Sequence, residues 1–308
     1  MNVITQVLAH GACLELNPRA FAHGEAALHA VVAGGRGCVL KSDVPLAGIW
    51  IPLRGRLQLG ANDAPVQAGE ARVTESDPRL HVVGRGNALW LALVGTAAAW
   101  RLALHADHGL PAIEATLLPA RHAADRALRR RALALARAVL AGDADAAAEA
   151  VVDRIVALQG EFADAIARCP GRTYAQRRQV FLRLQRVRNF LSSNCHLDVD
   201  NDAIARMANY SPWHFIRAFR AAYQETPHAY LVRQRLERAH RMLRASPLAI
   251  AEVALASGFE NRCAFSRLFR QRFGMTAGSV RRMALHADAR ALHAQRQESA
   301  IPATRYAG

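Results

Sequence analysis

Cysteine is scarce in this chain. Cys13, Cys38, Cys169, Cys195 and Cys263 are scattered, odd in number and form no CxxC pair. That spacing argues against a disulfide framework or a zinc knuckle and points to a reducing cytoplasmic setting. Long apolar runs are missing too. No uninterrupted stretch approaches the ~18 residues of a membrane span, so no membrane partner is expected. The first twenty residues lack a basic segment followed by an apolar one, so no signal peptide is expected. Lysine is almost absent: Lys41 stands alone and every other basic side chain is arginine.

What is present is unevenly placed. The chain has 308 residues, enough for two domains, and a formal charge of +15. Residues 1–115 are net 0, residues 116–171 are +1 and residues 172–308 are +14. A basic block of this kind is either a solvated arginine surface or the electrostatic footprint of a polyphosphate partner.

Residues 1–115 read as β-rich. Short apolar runs at Gly37–Leu40, Gly48–Pro52, Arg56–Leu59, Ala71–Thr74, Leu80–Val83 and Ala88–Val94 are separated by Gly, Pro and Asx clusters. Close spacing of short strands predicts a small barrel or jelly roll. From about Arg121 the period turns helical. Leu128, Ala132, Leu135 and Val139 share one face, with Gly142 as the stop and Asp145 as the next cap. Val151, Ile155, Leu158, Phe162 and Ile166 then form a second stripe. This helical connector, residues 116–171, either packs on its own barrel or forms a homodimer interface. Cys169–Thr173 reads as a linker.

The sharpest signal is an internal repeat in the basic third. Phe215, Arg217, Phe219, Arg220, Tyr223 and Thr226 match Phe265, Arg267, Phe269, Arg270, Phe273 and Thr276 at an offset of 50 residues. Ala203-Ile204-Ala205 matches Ala249-Ile250-Ala251 at an offset of 46. In the first copy, Ile204, Met207 and Ala208 give a short apolar face, Asn209-Tyr210 the turn, Ser211 the cap and Pro212 the first helical position. Phe215 and Phe219 point inward, while Trp213, His214 and Arg217 point away. In the second copy, Ile250, Val253 and Ala254 precede the turn Ser257-Gly258-Phe259, where Gly258 suits a positive φ. Phe265 and Phe269 point inward; Arg262 and Arg267 point out. This is helix-turn-helix anatomy twice over.

These residues, with Ile250-Ala251-Glu252-Val253-Ala254, Phe265-Ser266-Arg267-Leu268-Phe269-Arg270 and Phe273-Gly274-Met275-Thr276, resemble the AraC/XylS family of transcription regulators over about 85 residues, Leu197 to Arg282. The sequence departs from the family in having Ala277 and Val280 where proline and tyrosine are common; the first copy has Pro227 and Tyr230. The resemblance implies that double-stranded DNA is the partner and that each second helix enters a major groove. The residues it marks for DNA contact are Ser211, Trp213, His214, Arg217 and Arg220 in the first copy. In the second they are Asn261, Arg262, Cys263, Ser266, Arg267 and Arg270. It also implies a connecting helix that holds the two readers one DNA turn apart. Leu231, Leu236, Ala239 and Leu243 would dock on both, and Arg233, Arg235, Arg238 and Arg241 would stay wet. RNA polymerase is an expected partner, activation the expected direction and a small-molecule effector a possible signal.

The expected architecture is α+β. It comprises a cupin-like β-barrel for effector binding or dimerisation (1–115), a helical connector (116–171), an all-α double helix-turn-helix domain (172–286) and a C-terminal tail (287–308). The rival is a metal-dependent cupin enzyme fused to a DNA reader. It needs an H-x-H pair, but Ile49-Trp50-Ile51 occupies that strand and Arg72 stands where the later histidine belongs. A DNA-repair methyl acceptor needs a metal-bound cysteine cluster that Cys13 and Cys38 cannot make. Cys263 is either a small residue near DNA or a redox switch. No catalytic, metal or cofactor residues are expected, and effector-binding residues cannot be named from the sequence.

Overall fold

The computed structural model describes residues 1–21, 27–60, 64–108 and 117–286. The expected tail, 287–308, lies outside the described residues. The chain forms two compact units. One joins Met1–Asn194 to Asn201–Glu225; the other joins Cys195–Asp200 to the chain from Thr226 onward.

Within the first unit, nine strands form one sheet among the described residues. They are β1 (Val3–Leu8), β2 (Cys13–Leu16), β3 (Leu28–Gly35), β4 (Val39–Ser42), β5 (Leu46–Leu59), β6 (Val66–Gln67), β7 (Glu70–Asp77), β8 (Leu80–Gly95) and β9 (Ala120–Ala123). The main path runs β1-β3-β8-β5-β7-β9. Among the described residues its ends, β1 and β9, do not pair with each other, so the sheet is open there where a closed barrel was expected.

Two expected pairs of strands merge into long ones. Gly48–Pro52 and Arg56–Leu59 both belong to β5, and Leu80–Val83 and Ala88–Val94 both belong to β8. The interruption in β5 is a bulge, not a turn. Register shifts occur between Pro52 and Arg54 and between Arg54 and Arg56. Gly55 sits there at φ 78°, and a Cβ on it would lie 3.1 Å from the Ala88 Cα. An extra residue in one strand bends the ladder without ending it.

The pleat divides the side chains between two cores. Leu28, Ala30, Val32, Ile49, Ile51, Leu91 and Leu93 face helices α1 (Ala97–His108), α2 (Arg126–Ala141) and α3 (Asp145–Gln159). Val31, Ala33, Trp50, Leu57, Trp90 and Val94 fill the opposite face with Leu8, Leu16 and Leu40. Asp125 caps α2 and Gly142 ends it at φ 82°. Asp145, expected as a cap, is the first residue of α3, and Ala144 holds the cap position without a side-chain bond.

Both predicted helical stripes are consumed inside the chain. Leu128, Ala132, Leu135, Val139, Val151 and Ile155 are buried against the sheet. The second stripe is carried by three pieces: α3, a 3-10 turn at Gly160–Phe162, and α4 (Ala163–Arg168). Thr173 then opens α5 (Tyr174–Ser193) with a capping box completed by Gln176. The remaining helices are α6 (Asn201–Met207), α7 (Pro212–Tyr223), α8 (Pro227–Ala245), α9 (Ile250–Ala256) and α10 (Arg262–Phe273). Residues 277–286 are also helical. None of the described helices is long and apolar enough to cross a membrane.

Candidate nucleic-acid interface

The first repeat copy is α6, a turn and α7. Ile204, Ala205 and Ala208 are buried. Met207, expected inward, is 42% exposed; Ala205 takes the inner seat beside Ile204. Asn209 makes the turn at φ 57°, in the left-handed region that asparagine tolerates. Pro212 stands in the first turn of α7. Ser211 holds the cap position, yet its hydroxyl bonds the His214 ring at 2.7 Å and no backbone N–H. Phe215 and Phe219 are buried. Ser211, Trp213, His214, Arg217 and Arg220 are all exposed. Trp213 is 63% exposed, unusual for so large an apolar surface. The Arg217 guanidinium lies over its ring, 5.5 Å from the centroid.

The second copy is α9, a turn and α10. Val253 and Ala254 are buried, while Ile250 is 37% exposed. Gly258 turns at φ 91°, and a Cβ there would meet the Arg235 Nε at 2.8 Å and the Cys195 carbonyl oxygen at 3.0 Å. Only glycine fits this turn. Asn261 caps α10, its side chain accepting from the Ala264 N–H at 2.9 Å. Phe265 and Phe269 are buried. Arg262, Cys263, Ser266, Arg267 and Arg270 are exposed, as is Asn261 itself. Thr276 accepts from the Ser279 N–H at 3.2 Å, as Thr226 accepts from Ala229 at the start of α8. The last helix therefore starts at its repeat position despite Ala277 and Val280, and both of those are buried.

The aromatic cores repeat as well. Phe219 and Tyr223 have ring centroids 4.7 Å apart, and so do Phe269 and Phe273. Copy two adds Phe259 against Phe265 at 5.2 Å. Copy one is built on the connector. Phe162 meets Phe181 at 5.4 Å, and Phe181 meets Tyr223 at 5.9 Å. The Tyr223 hydroxyl donates to Gln185 at 2.8 Å, and Arg168 donates to the Ala222 carbonyl at 3.0 Å. The repeat did not reveal this support, because the residues that supply it lie upstream of both copies.

The arginines of α8 do not all stay wet. Arg235 donates to the carbonyls of Cys195 at 2.7 Å and Leu197 at 2.9 Å. Arg238 donates to Ala256 at the end of α9, where unpaired carbonyls favour a cation. Arg233 lies over the Tyr230 ring. Arg241 is exposed. Leu236, Ala239 and Leu243 join the core of the second copy.

At the site of the rival chemistry, Ile49, Trp50 and Ile51 are buried in β5. Among the described residues no three His, Cys, Asp or Glu side chains gather as a metal-ligand group. Burial pushes the thiol of Cys169 up to about 11 and that of Cys195 upward. Both are poor nucleophiles in that state.

A helix-turn-helix domain family matches residues 204–283. The chain is similar to the HTH-type transcriptional regulator GlxA of Rhizobium meliloti, 42% identical over 85 residues, or 27% of this chain and 26% of GlxA. It is similar to the regulatory protein SoxS of Escherichia coli, 32% identical over 88 residues, or 28% of this chain and 82% of SoxS. Among solved structures it matches the DNA-binding domain of AdpA in complex with a target DNA. That match has 29% identity and a TM-score of 0.32, and covers 33% of this chain and 91% of that one. The chain thus covers about a quarter of the length of GlxA and 66% of the Proteus vulgaris factor PqrA, another relative.

Proposed function

This chain belongs to the AraC/XylS family of transcriptional regulators, and from that premise we propose that it binds double-stranded DNA sequence-specifically through α7 and α10 and activates transcription by engaging RNA polymerase. The observation that carries the reading is the duplicated helix-turn-helix with one equivalent arginine, Arg217 or Arg267, exposed on each second helix. Its setting is the +14 segment. Arginine suits the task because its planar fork pairs bidentately with guanine O6 and N7.

In this reading Arg217 and Arg267 read base edges, helped by Trp213, His214, Arg262, Cys263 and Ser266. Arg220 and Arg270 grip phosphates. Ser211 stands at the start of the first reading helix, and Asn261 caps the second. Residues 172–286 form the reader, 116–171 the connector, and 1–115 a cupin-like sensing or dimerisation domain. The activity is binding, not catalysis, and its place is the cytoplasm. The connector is the element offered for a homodimer; its two stripes are buried within the chain, and Leu133 and Leu140 of α2 are 46% and 65% exposed.

The test is selection of DNA by the full chain from a random pool, repeated with Arg217→Ala and Arg267→Ala. A pair of half-sites ~10–10.5 bp apart, each blurred by one variant, supports the reading. Absence of any preferred sequence overturns it.

A further inference from the structure

The two second helices of the repeat carry different outer faces. Along α7, Phe215, Ala218, Phe219 and Ala222 are buried, while Trp213, Ile216, Arg217 and Arg220 are exposed. The exposed four stand at steps of three, one and three, so they share one side of the helix. The offset of 50 residues carries them onto Cys263, Ser266, Arg267 and Arg270 of α10, which are exposed as well. Both copies keep the two arginines. They differ at the other two places, and Ile216 against Ser266 exchanges an aliphatic side chain for a hydroxyl.

An exposed isoleucine is ordinary by itself. Its place gives this one a use. Ile216 is 42% exposed and directly precedes Arg217 on the same side of α7. Trp213, one turn earlier, is already partly engaged, with the Arg217 guanidinium 5.5 Å from its ring centroid. Branching at Cβ holds Ile216 near one rotamer on a helix, so little side-chain entropy is lost on contact.

The chemistry of the major groove narrows what such a side chain reads. Guanine shows two acceptors there, adenine an acceptor and a donor, and cytosine a donor; thymine alone adds a methyl group. The isoleucine side chain has no polar atom. Set against a polar edge, it would strip that edge of water and return no hydrogen bond. Set against a methyl, it removes apolar surface from water on both sides. The hydroxyl of Ser266 both donates and accepts, so it suits donor and acceptor edges alike. We propose that Ile216 reads the C5-methyl of a pyrimidine, thymine in unmodified DNA, in the half-site entered by α7, and that no methyl is read at the place in the other half-site that meets Ser266. This rests on the regulator reading, and it makes the operator asymmetric although its reader is a repeat.

The test changes the DNA before it changes the protein. The full-length chain selects its sequence from a random pool, and the thymines of that sequence are replaced one at a time by deoxyuridine, which removes the methyl and keeps the pairing. One replacement, in one half-site only, lowers affinity about fourfold, the effect of burying one methyl. In Ile216→Ser, which copies the second repeat, the same replacement changes affinity by less than about 1.5-fold, because the methyl has lost its apolar partner. Ile216→Val, which keeps a branched apolar tip, retains the dependence. A cytosine–guanine pair at that position binds the wild type more weakly than thymine–adenine, and 5-methylcytosine recovers about fourfold over cytosine, a gain that Ile216→Ser lacks. A selected sequence in which no thymine is sensed by the wild type and ignored by Ile216→Ser overturns the methyl reader and leaves the regulator reading in place. So does a 5-methylcytosine that gains nothing over cytosine. A chain that selects no sequence overturns both.

Discussion

Arg217 lies one helical turn from Trp213 and rests over its indole, guanidinium carbon to ring centroid 5.5 Å. The contact holds a flexible cation at the exposed start of α7 before any DNA arrives. Such a pair contributes about 0.5–1 kcal/mol at an exposed site, and its larger effect is to restrict the rotamers of the arginine. Trp213→Ala is therefore expected to leave the melting temperature nearly unchanged and to weaken selected DNA by a few-fold. Calorimetry and a binding titration on one preparation check both halves.

Reading and gripping separate by substitution. Arg217→Ala and Arg267→Ala should each lose about 1–3 kcal/mol of discrimination at one position of the site. Arg220→Ala and Arg270→Ala should weaken all sequences alike and flatten the salt dependence. Titrations against an operator substituted base by base decide the matter. Uniform losses for Arg217→Ala and Arg267→Ala would make them phosphate contacts.

The caps rank differently from their residue types. Thr226 and Asn261 accept from backbone N–H groups at helix starts, so Thr226→Ala and Asn261→Ala should each cost about 0.5–2 kcal/mol of stability. Ser211 bonds His214 instead, and Ser211→Ala should cost less than either. Urea midpoints of the three variants order them.

Fragments test how the first reading unit is supported. Phe162 and Arg168 lie before Thr173, yet they pack on or bond to residues that hold α7. A fragment of residues 160–283 is expected to melt higher and resist protease longer than one of residues 173–283. Equal behaviour would mean that the contacts from 162 and 168 contribute little.

Stability should fall on mild acidification. Burial holds the imidazoles of His29 and His122 below their ordinary value of 6.5, and Glu161 only partly offsets it at His122. A depressed folded pKa means that the unfolded chain binds more protons. The stabilisation is complete above 6.5 and is lost as the pH drops through the folded values. Urea midpoints of the wild type should decline from pH 7.5 to 5.5, and a variant carrying His29→Gln and His122→Gln should decline less.

The repeat was legible because both copies keep their inward aromatics and outward arginines at a fixed spacing, and helical periodicity turns that spacing into faces. Gly258 was legible for a different reason: it meets a local backbone demand, a positive φ. Three features were not. Continuity of β5 through Gly55 depends on a bulge, and in sequence a bulge and a turn use the same residue. The open sheet depends on which strands end up as edges, a long-range matter that alternation does not encode. The ion pair of Arg186 with Glu75 joins residues 111 apart, with no pattern linking them.

The arginines of the basic third have a consequence for ionic strength. Arg235, Arg238 and Arg281 donate to backbone carbonyls, and Arg272 pairs with Glu237. A guanidinium whose N–H groups are tied to its own backbone is less free to reach a phosphate and release a condensed cation from a duplex. The slope of log K against log salt, about 0.9 per neutralised phosphate, should therefore report the handful of arginines on the outer faces of α7 and α10. It should fall well short of the formal charge of the segment that carries them.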